Sequence, residues 1–508
     1  MPETTSDIAI VGGGFAGTVT AIKLLRAVTA SGQRTPLKLS IIESRAEIGR
    51  GIAYSTDNPD HIVNGTAQLF GLYPDQPTHL PQWLARNAQR HGWTPPPGVA
   101  EGGFLDAFPP RRLYGSYLQD ELQQALRDAG SLVRLEILQG RVVDLQLQGQ
   151  TGHTLLLEDG RHLPARRVVL ALGLFRKGED RIVGSPEQRR ALGDRYIDDV
   201  WNVDAWQGVA QDQDILLIGS SLTALDAAFS AERAGFKGQF HALSRHGLLV
   251  QPRRTQTPWP DLLDEQRLPA TLRELVNTTR AARRAVRAAG ADWQHLPPAI
   301  RPHVPALWAK ASPADRRRFL RHLRPFWEIS LHRAGPESSR KLAGYQQQGR
   351  LRQLKGRLHG LQRTGDKVAV QWTPRGQDSV QTLLVDRVVN AAGYEFDWQH
   401  IRDPLVSALQ RRQLVRRHAT GFGIDADPGT GALYGADGQL QPGLYAVGHP
   451  LRGVNWESNA IGEQLVGATQ TANALVAALN EASAVPAGAT NAVSAVNAAS
   501  ALQPAESL

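Results

Sequence analysis

An α/β fold of two nucleotide-binding units, the second inserted into the first, follows from three features of the 508-residue sequence. The run Asp7-Ile8-Ala9-Ile10-Val11-Gly12-Gly13-Gly14-Phe15-Ala16-Gly17 is an apolar strand entering a glycine turn, then a helix carrying Val19, Ile22 and Leu25. Asp214-Ile215-Leu216-Leu217-Ile218-Gly219-Ser220-Ser221-Leu222-Thr223-Ala224 repeats the plan with a looser turn. Each run is answered, after a similar length of chain, by an apolar strand ending in Gly173 or Gly393. A buried strand, a glycine turn and an amphipathic helix in that order form a Rossmann-like dinucleotide cradle. Its recurrence predicts two such domains with a helical insertion.

In the first unit Leu37–Glu43 is the second strand, and residues 154–163 form a hairpin turning at Asp159-Gly160. The hairpin feeds the apolar strand 167–173. Both closing strands end in small residues, which suits a close approach of backbone to a cofactor or a crossing strand. In the second unit 239–243 is a strand, and 368–372 and 382–385 form a meander leading to 387–393. Residues from Pro258 to about Gly344 read as helices with periodic Leu, Ala and Arg, punctuated by Pro297, Pro298, Pro302, Pro305 and Pro325. From Tyr394 the chain returns to the first domain through strand 444–448 and a helix from about Gly462 to Leu479. The expected boundaries are 1–205 and 394–480 for the first domain and 206–393 for the second, with the insertion at about 258–344. The Ala/Ser/Val/Asn-rich segment 481–508 is expected to be a disordered tail.

With 21% charged and 41% hydrophobic residues, no apolar run of membrane length and no leader, the chain reads as a cytoplasmic globular enzyme without a membrane partner. The absence of cysteine excludes disulfides, thiolate metal sites and redox dithiols, and no metal site is expected. The net charge of +9 comes from arginines spread along helices, such as Arg280, Arg283, Arg284 and Arg287. No nucleic-acid-binding module accompanies them, so they read as solvated faces, or as a field attracting an anionic cofactor and substrate.

The turn glycines of the first cradle admit a pyrophosphate, the helix N-terminus supplies amide donors, and Glu43 is placed to accept hydrogen bonds from a ribose. In the second cradle the matching strand ends Ser244-Arg245-His246, without a carboxylate. Arg245 reads either as a solvated turn residue or as the partner of a ribose 2′-phosphate, which favours NADPH over NADH. Ser221 replaces a turn glycine and brings a hydroxyl donor.

Further stretches carry a family resemblance. They are Gly49-Arg50-Gly51-Ile52-Ala53-Tyr54-Ser55 with Pro59-Asp60-His61-Ile62-Val63-Asn64; Pro110-Arg111-Arg112-Leu113-Tyr114-Gly115-Ser116-Tyr117; and Leu222-Thr223 with Ser244-Arg245-His246-Gly247. Arg324-Pro325-Phe326-Trp327-Glu328 and Gly448-His449-Pro450-Leu451-Arg452-Gly453-Val454-Asn455-Trp456-Glu457 complete the set. With them the chain resembles the two-dinucleotide-binding-domain flavoproteins, more narrowly the bacterial FAD/NAD(P)-binding proteins related to N-hydroxylating monooxygenases. The resemblance implies FAD in the first cradle, at Gly12, Gly14, Phe15, Ala16, Gly17, Glu43, Arg50, Val142, Gly173 and Gly448. It implies NADPH or NADH in the second, at Gly219, Ser221, Leu222, Thr223, Arg245 and Gly393. Arg50 is placed to neutralise a pyrophosphate. His61 and Asn64 either reach the flavin edge or substrate, or cap loop backbone. Asn455 and Trp456, with Glu457, are expected to open the last helix, its N-terminus toward the flavin. His449 stands where many such flavoproteins carry an Asp for the ribityl chain, which leaves that contact open.

Reduced flavin passes electrons to a dithiol, to a protein or quinone acceptor, or to dioxygen, and a cysteine-free chain removes the first route. Monooxygenation requires a closed, mostly apolar pocket, for which Trp259, Trp293, Trp308 and Trp327 offer a lid, although each also suits a helical core. The expected activity is FAD-dependent, NAD(P)H-consuming hydroxylation by O2 of a small polar or anionic molecule. Urate, giving 5-hydroxyisourate in purine catabolism, is the leading substrate. Amino-acid or amine N-hydroxylation is the alternative, and reduction of a ferredoxin or quinone is the competing class.

Overall fold

Strand β1 (Ser6–Val11) is apolar at successive positions because both its faces are covered. Ile8 and Ile10 pack with Val19, Ile22 and Leu25 of helix Phe15–Ala30 and with Leu465 and Leu475 of helix Ile461–Ala484. Ala9 and Val11 face Val168, Leu405 and Leu444 on the other side. The computed structural model describes residues 5–484, apart from 34, 149–151, 178–181, 183 and 255.

The other strands of the first half are β2 (Leu37–Glu43), β3 (Val133–Gln139), β4 (Val142–Gln148), β5 (Gly152–Leu157), β6 (His162–Leu170) and β7 (Phe175–Arg176). The middle of the chain supplies β8 (Tyr196–Ile197), β9 (Asp214–Ile218), β10 (Gln239–Ser244), β11 (Leu351–Thr364), β12 (Lys367–Pro374), β13 (Gln381–Val385) and β14 (Arg387–Asn390). The return segment carries β15 (Tyr394–Glu395), β16 (Ala432–Tyr434) and β17 (Leu440–Ala446). Among the described residues the first sheet has the order β16-β17-β6-β1-β2-β3, with the β4–β5 hairpin on the start of β6. The second runs β13-β12-β11-β10-β9-β14-β8. Both carry a parallel core, the Rossmann-like α/β arrangement. Because β17 joins β6 with Leu444 beside Val168, the second sheet is built from chain inserted into the first. β8 pairs with β14, Tyr196 beside Val388, so the second sheet recruits chain before position 205.

The inserted helices, among them Leu272–Ala288, Val304–Lys310 and Arg324–Leu331, gather around Val286, Ile300, Val304 and Trp308. Helix Pro336–Gln347 serves the second sheet instead, packing Leu342 and Tyr345 with Phe229 and Phe240. The last helix differs from the sequence expectation at both ends. It starts at Ile461, leaving Asn455, Trp456 and Glu457 in a run of turns before it, and it continues to Ala484. Positions 481–484 of the expected tail are therefore helical, and 485–508 lie outside the described residues. No helix among the described residues is long and apolar enough to cross a membrane.

A buried ion pair joins the two units. The Arg111 guanidinium forks onto the Asp226 carboxylate of helix Leu222–Arg233 at 2.6 and 3.0 Å, and Trp201 Nε1 donates to the same carboxylate at 3.1 Å. His61 lies alongside, its Nε2 donating to the Asp226 carbonyl at 3.0 Å and its Nδ1 accepting from the Thr56 hydroxyl at 2.7 Å.

Candidate active site

The two turns share their anchoring hydrogen bond and their chain crossing. Gly12 N donates to Ile42 O at 2.8 Å, and Gly219 N donates to Leu243 O at 2.9 Å. Their φ angles are +105° and +122°, and a Cβ on either would strike the carbonyl oxygen of Ala171 or Ala391 in the crossing strand. These two glycines are demanded by the chain crossing itself. Gly14 and Ser221 are the extended N-caps of the following helices. A Cβ at Gly17 would run into Gly12 O, whereas the second turn carries a methyl there, on Ala224.

The first turn opens on a cleft of about 450 Å³ lined by Gly12, Gly14, Phe15, Ala16, Glu43, Arg50, Val142 and Gly173. Gly17 and Gly448 sit behind this wall; a Cβ on Gly448 (φ +75°) would lie 3.1 Å from that of Ala16. The Glu43 carboxylate is fixed by the turn, accepting from Gly13 N at 2.7 Å and Arg45 N at 2.9 Å. Arg50 reaches the cleft but is committed to the protein: Nη1 donates to Arg112 O at 2.8 Å, Nη2 to Gln119 Oε1 at 3.2 Å, and Nε pairs with Glu47 at 2.7 Å. Burial lowers its pKa, and Glu47 opposes that shift.

The cleft fits a dinucleotide. Gly14 packs against Gly51, a Cβ built on Gly14 reaching 3.4 Å from Gly51 Cα, and both line the cleft, so its wall there is bare backbone, as a pyrophosphate requires. Asn455 Oδ1, Trp456 Nε1, Ser458 Oγ and Asn459 Oδ1 are buried without a protein partner, and Asn459 lines the cleft, so this run offers donors and acceptors to a polar ring. FAD would be held by the turn, by Glu43 and by this run.

His449 also lines the cleft. Burial, reinforced by Arg452, pushes its pKa down to about 3, so it presents a neutral imidazole. Burial likewise lowers the pKa of His61, His153 and His332. A depressed folded pKa contributes stability above the unfolded value, near 6.5, that is lost as pH falls toward the folded value. Glu457, raised by burial, works in the opposite sense as a single group. The melting temperature is expected to fall between about pH 7.5 and pH 5; a flat profile there would show that these imidazoles are not buried neutral.

The second turn opens on a cleft of about 580 Å³ lined by Gly219, Ser244, Arg245, Lys177, Arg324, Tyr394, Glu395, Phe396, Arg417 and Phe422, among others. Ser221, Leu222, Thr223 and Gly393 form the turn, the helix start and the strand end beside it and are not among the lining residues. Ser244 occupies the register position of Glu43, and its hydroxyl is buried without a partner. Arg245 is exposed at the rim with no ion pair among the described residues. His246, in contact with Arg375 at 3.0 Å, has its pKa lowered by burial and by Arg375, Arg245 and Lys355, so the rim is a cationic cluster. Arg245→Ala is expected to raise KM for NADPH relative to NADH by roughly 10-fold, the low end for a charged hydrogen bond because solvent screens an exposed site. Stopped-flow flavin reduction with both nucleotides checks it, and an unchanged preference would free Arg245 of any 2′-phosphate role.

His61 and Asn64 line neither cleft. His61 sits at the junction of the units, and the Asn64 carbonyl accepts from Arg253 Nε at 2.9 Å. Trp456 packs on Trp308 at 5.0 Å and Phe422 at 5.2 Å, and with Trp308, Trp327 and Ile300 it lines an apolar cavity of about 90 Å³ under the inserted helices. Trp259, Trp308 and Trp327 belong to that core. Arg141, Asn459 and Gln464 in the first cleft, and Lys177, Glu395 and Arg417 in the second, escaped the sequence reading. Among the described residues no cluster of three or more His, Asp or Glu is arranged for a metal ion.

Residues 9–175 match a family described as FAD-NAD(P)-binding. The chain is 27% identical over 236 residues to an uncharacterized protein, YdhS, of Escherichia coli (strain K12), covering 44% of this chain and 39% of that protein. It is 32% identical over 159 residues to the L-aspartate N-monooxygenase (nitrosuccinate-forming) of Streptomyces cremeus, covering 29% of this chain and 23% of that protein. The chain thus matches less than half the length of these relatives. Among solved structures it is similar to an ornithine N-hydroxylase of Kutzneria sp. 744, determined with reduced FAD, NADP+ and L-ornithine. The TM-score is 0.60 at 16% identity, covering 94% of this chain and 100% of that one. The structural likeness shows the fold, and residues 9–175 carry the match to the FAD-NAD(P)-binding family.

Proposed function

We propose that the chain is an FAD- and NADPH-dependent N-hydroxylase acting on the amine of an amino acid. The observation that carries this reading is the contact between the clefts: Phe422 lines the second and packs edge-on against Trp456, which belongs to the unpartnered polar run beside the first. The nicotinamide end of one cleft therefore meets the flavin end of the other. The apolar core around Trp308 and Trp327 covers that junction and excludes water. FAD, reduced by NADPH, supplies the electrons with which dioxygen delivers one oxygen atom to the amine nitrogen and releases the other as water. The chain's own part is to orient and enclose. Glu43 and the Gly12–Gly14 turn fix one end of the flavin nucleotide, neutral His449 offers the sugar alcohol chain a donor and an acceptor, and the cationic rim at Arg245 holds the second nucleotide.

A named N-monooxygenase relative and an N-hydroxylase structural neighbour support the amine reading, and the urate expectation finds no support among the comparisons. The test is substrate-dependent NADPH oxidation, with oxygen uptake and hydroxylamine product measured together. Near-stoichiometric coupling with an amino acid is expected. Rapid reduction of a quinone or ferredoxin, with no amino acid or amine accelerating oxygen uptake, would replace this reading with a reductase.

A further inference from the structure

Four arginines meet where the inserted helices close on the first domain, and only two have acidic partners. Arg254 forks onto Asp292, with Nη2 to Oδ1 at 3.0 Å, and Arg301 pairs with Glu463 at 2.9 Å. Arg253 and Arg333 have no carboxylate partner among the described residues. Arg253 N donates to Ala334 O at 2.7 Å, which sets the two arginines side by side. The Arg333 guanidinium shares Gln294 Oε1 with the Arg254 backbone N–H, and its Nε is buried without any partner. Arg333 is only 7% exposed.

A buried guanidinium without a countercharge, as at Arg333, is costly unless a bound anion supplies one, and the half-buried Arg253, its Nε on the Asn64 carbonyl, adds a second positive charge without a carboxylate. The cluster approaches the first cleft through Arg301, whose partner Glu463 lies in the first turn of the last helix beside Ile461 and Gln464, which line that cleft. Desolvation and the mutual repulsion with Arg333 and Arg301 lower the Arg253 pKa to about 10, which leaves it charged at neutral pH.

We infer that Arg253 and Arg333 grip the carboxylates of the substrate, and that this substrate is a dicarboxylic amino acid. The inference rests on the N-hydroxylase reading. A diamine substrate would bring an ammonium toward two unpaired guanidiniums, whereas two carboxylates supply the missing countercharge and suit their planar forks.

The experiment titrates the FAD-loaded protein with succinate, a dicarboxylate lacking the amine, and follows the flavin absorbance. NADPH oxidation is assayed in parallel with aspartate, glutamate, ornithine and lysine. Saturable succinate binding is expected, weakened at least 10-fold in Arg333→Met and partly restored in Arg333→Lys, with aspartate or glutamate stimulating turnover and the diamines not. FAD content reports folding, and Arg253→Met replaces Arg333→Met if the latter loses flavin. Succinate affinity unchanged in the Met variant, or turnover stimulated by ornithine or lysine but not by the acidic amino acids, overturns the inference and leaves the N-hydroxylase reading standing. If no amino acid stimulates turnover, that reading fails, while the succinate titration still decides whether the arginines bind a dicarboxylate.

Discussion

Gly14→Val yields a folded protein that no longer retains flavin. Gly14 has an ordinary φ of −71°, so a side chain is not forbidden by its backbone, and an ideal Cβ there comes no closer than 3.4 Å to Gly51 Cα. The γ-methyls of valine extend beyond that Cβ, over the bare backbone that Gly14 and Gly51 present to the cleft, where a pyrophosphate would meet backbone amides. The larger cost is expected in binding, with circular dichroism reporting any strain passed to Gly51. Gly12→Val and Gly17→Val have a different outcome, because their Cβ atoms would meet the Ala171 and Gly12 carbonyl oxygens and the strand crossing would have to open. Near-complete loss of flavin absorbance with an unchanged circular dichroism spectrum is the expected signature for Gly14→Val. A yellow variant with full flavin content would move the pyrophosphate elsewhere.

Arg111→Met is expected to lower global stability by about 3–5 kcal/mol, the cost of stranding one partner of a buried pair. The side chains of Arg111 and Asp226 are 13% and 6% exposed, and without the guanidinium the Asp226 carboxylate keeps, among the described residues, the Trp201 N–H alone. Because the pair spans the two units, the first transition to shift in urea denaturation should be their separation. Replacing both residues, Arg111→Met with Asp226→Leu, should recover much of the loss, since it removes the orphaned charge. A single variant with an unshifted urea midpoint would show that other contacts hold the units together.

The strands legible in the sequence were those covered on both faces. β1 and β9 carry the apolar runs Ile8–Val11 and Ile215–Ile218 because sheets with helices on both sides leave no polar face there. β11 was invisible for the opposite reason: in its 14 residues only Gly356 and Leu361 are buried, so no apolar alternation marks it. The edge strand β3 buries only Val133. Positions fixed by register, Glu43 and Ser244 with its neighbour Arg245, fall where the strand–turn–helix plan puts them. The far walls of the clefts did not, since Asn459 and Lys177 sit in turns and loops whose course no periodicity encodes. His61 reads equally well as a site residue or a joint; its contacts with Asp226 and Thr56 place it at the joint.

The difference between Gly17 and Ala224 bears on how long each cofactor stays. At Gly17 a Cβ would strike the Gly12 carbonyl oxygen, so the first helix lies directly on its turn, whereas the second turn carries the Ala224 methyl at the matching position. A prosthetic group retained through many turnovers suits the closer seat, since affinity differences are set mainly by the rate of departure. Under the proposed reaction the second nucleotide is exchanged in every cycle, and the expectation is that Gly17→Ala shortens flavin retention while Ala224→Gly slows release of the second nucleotide.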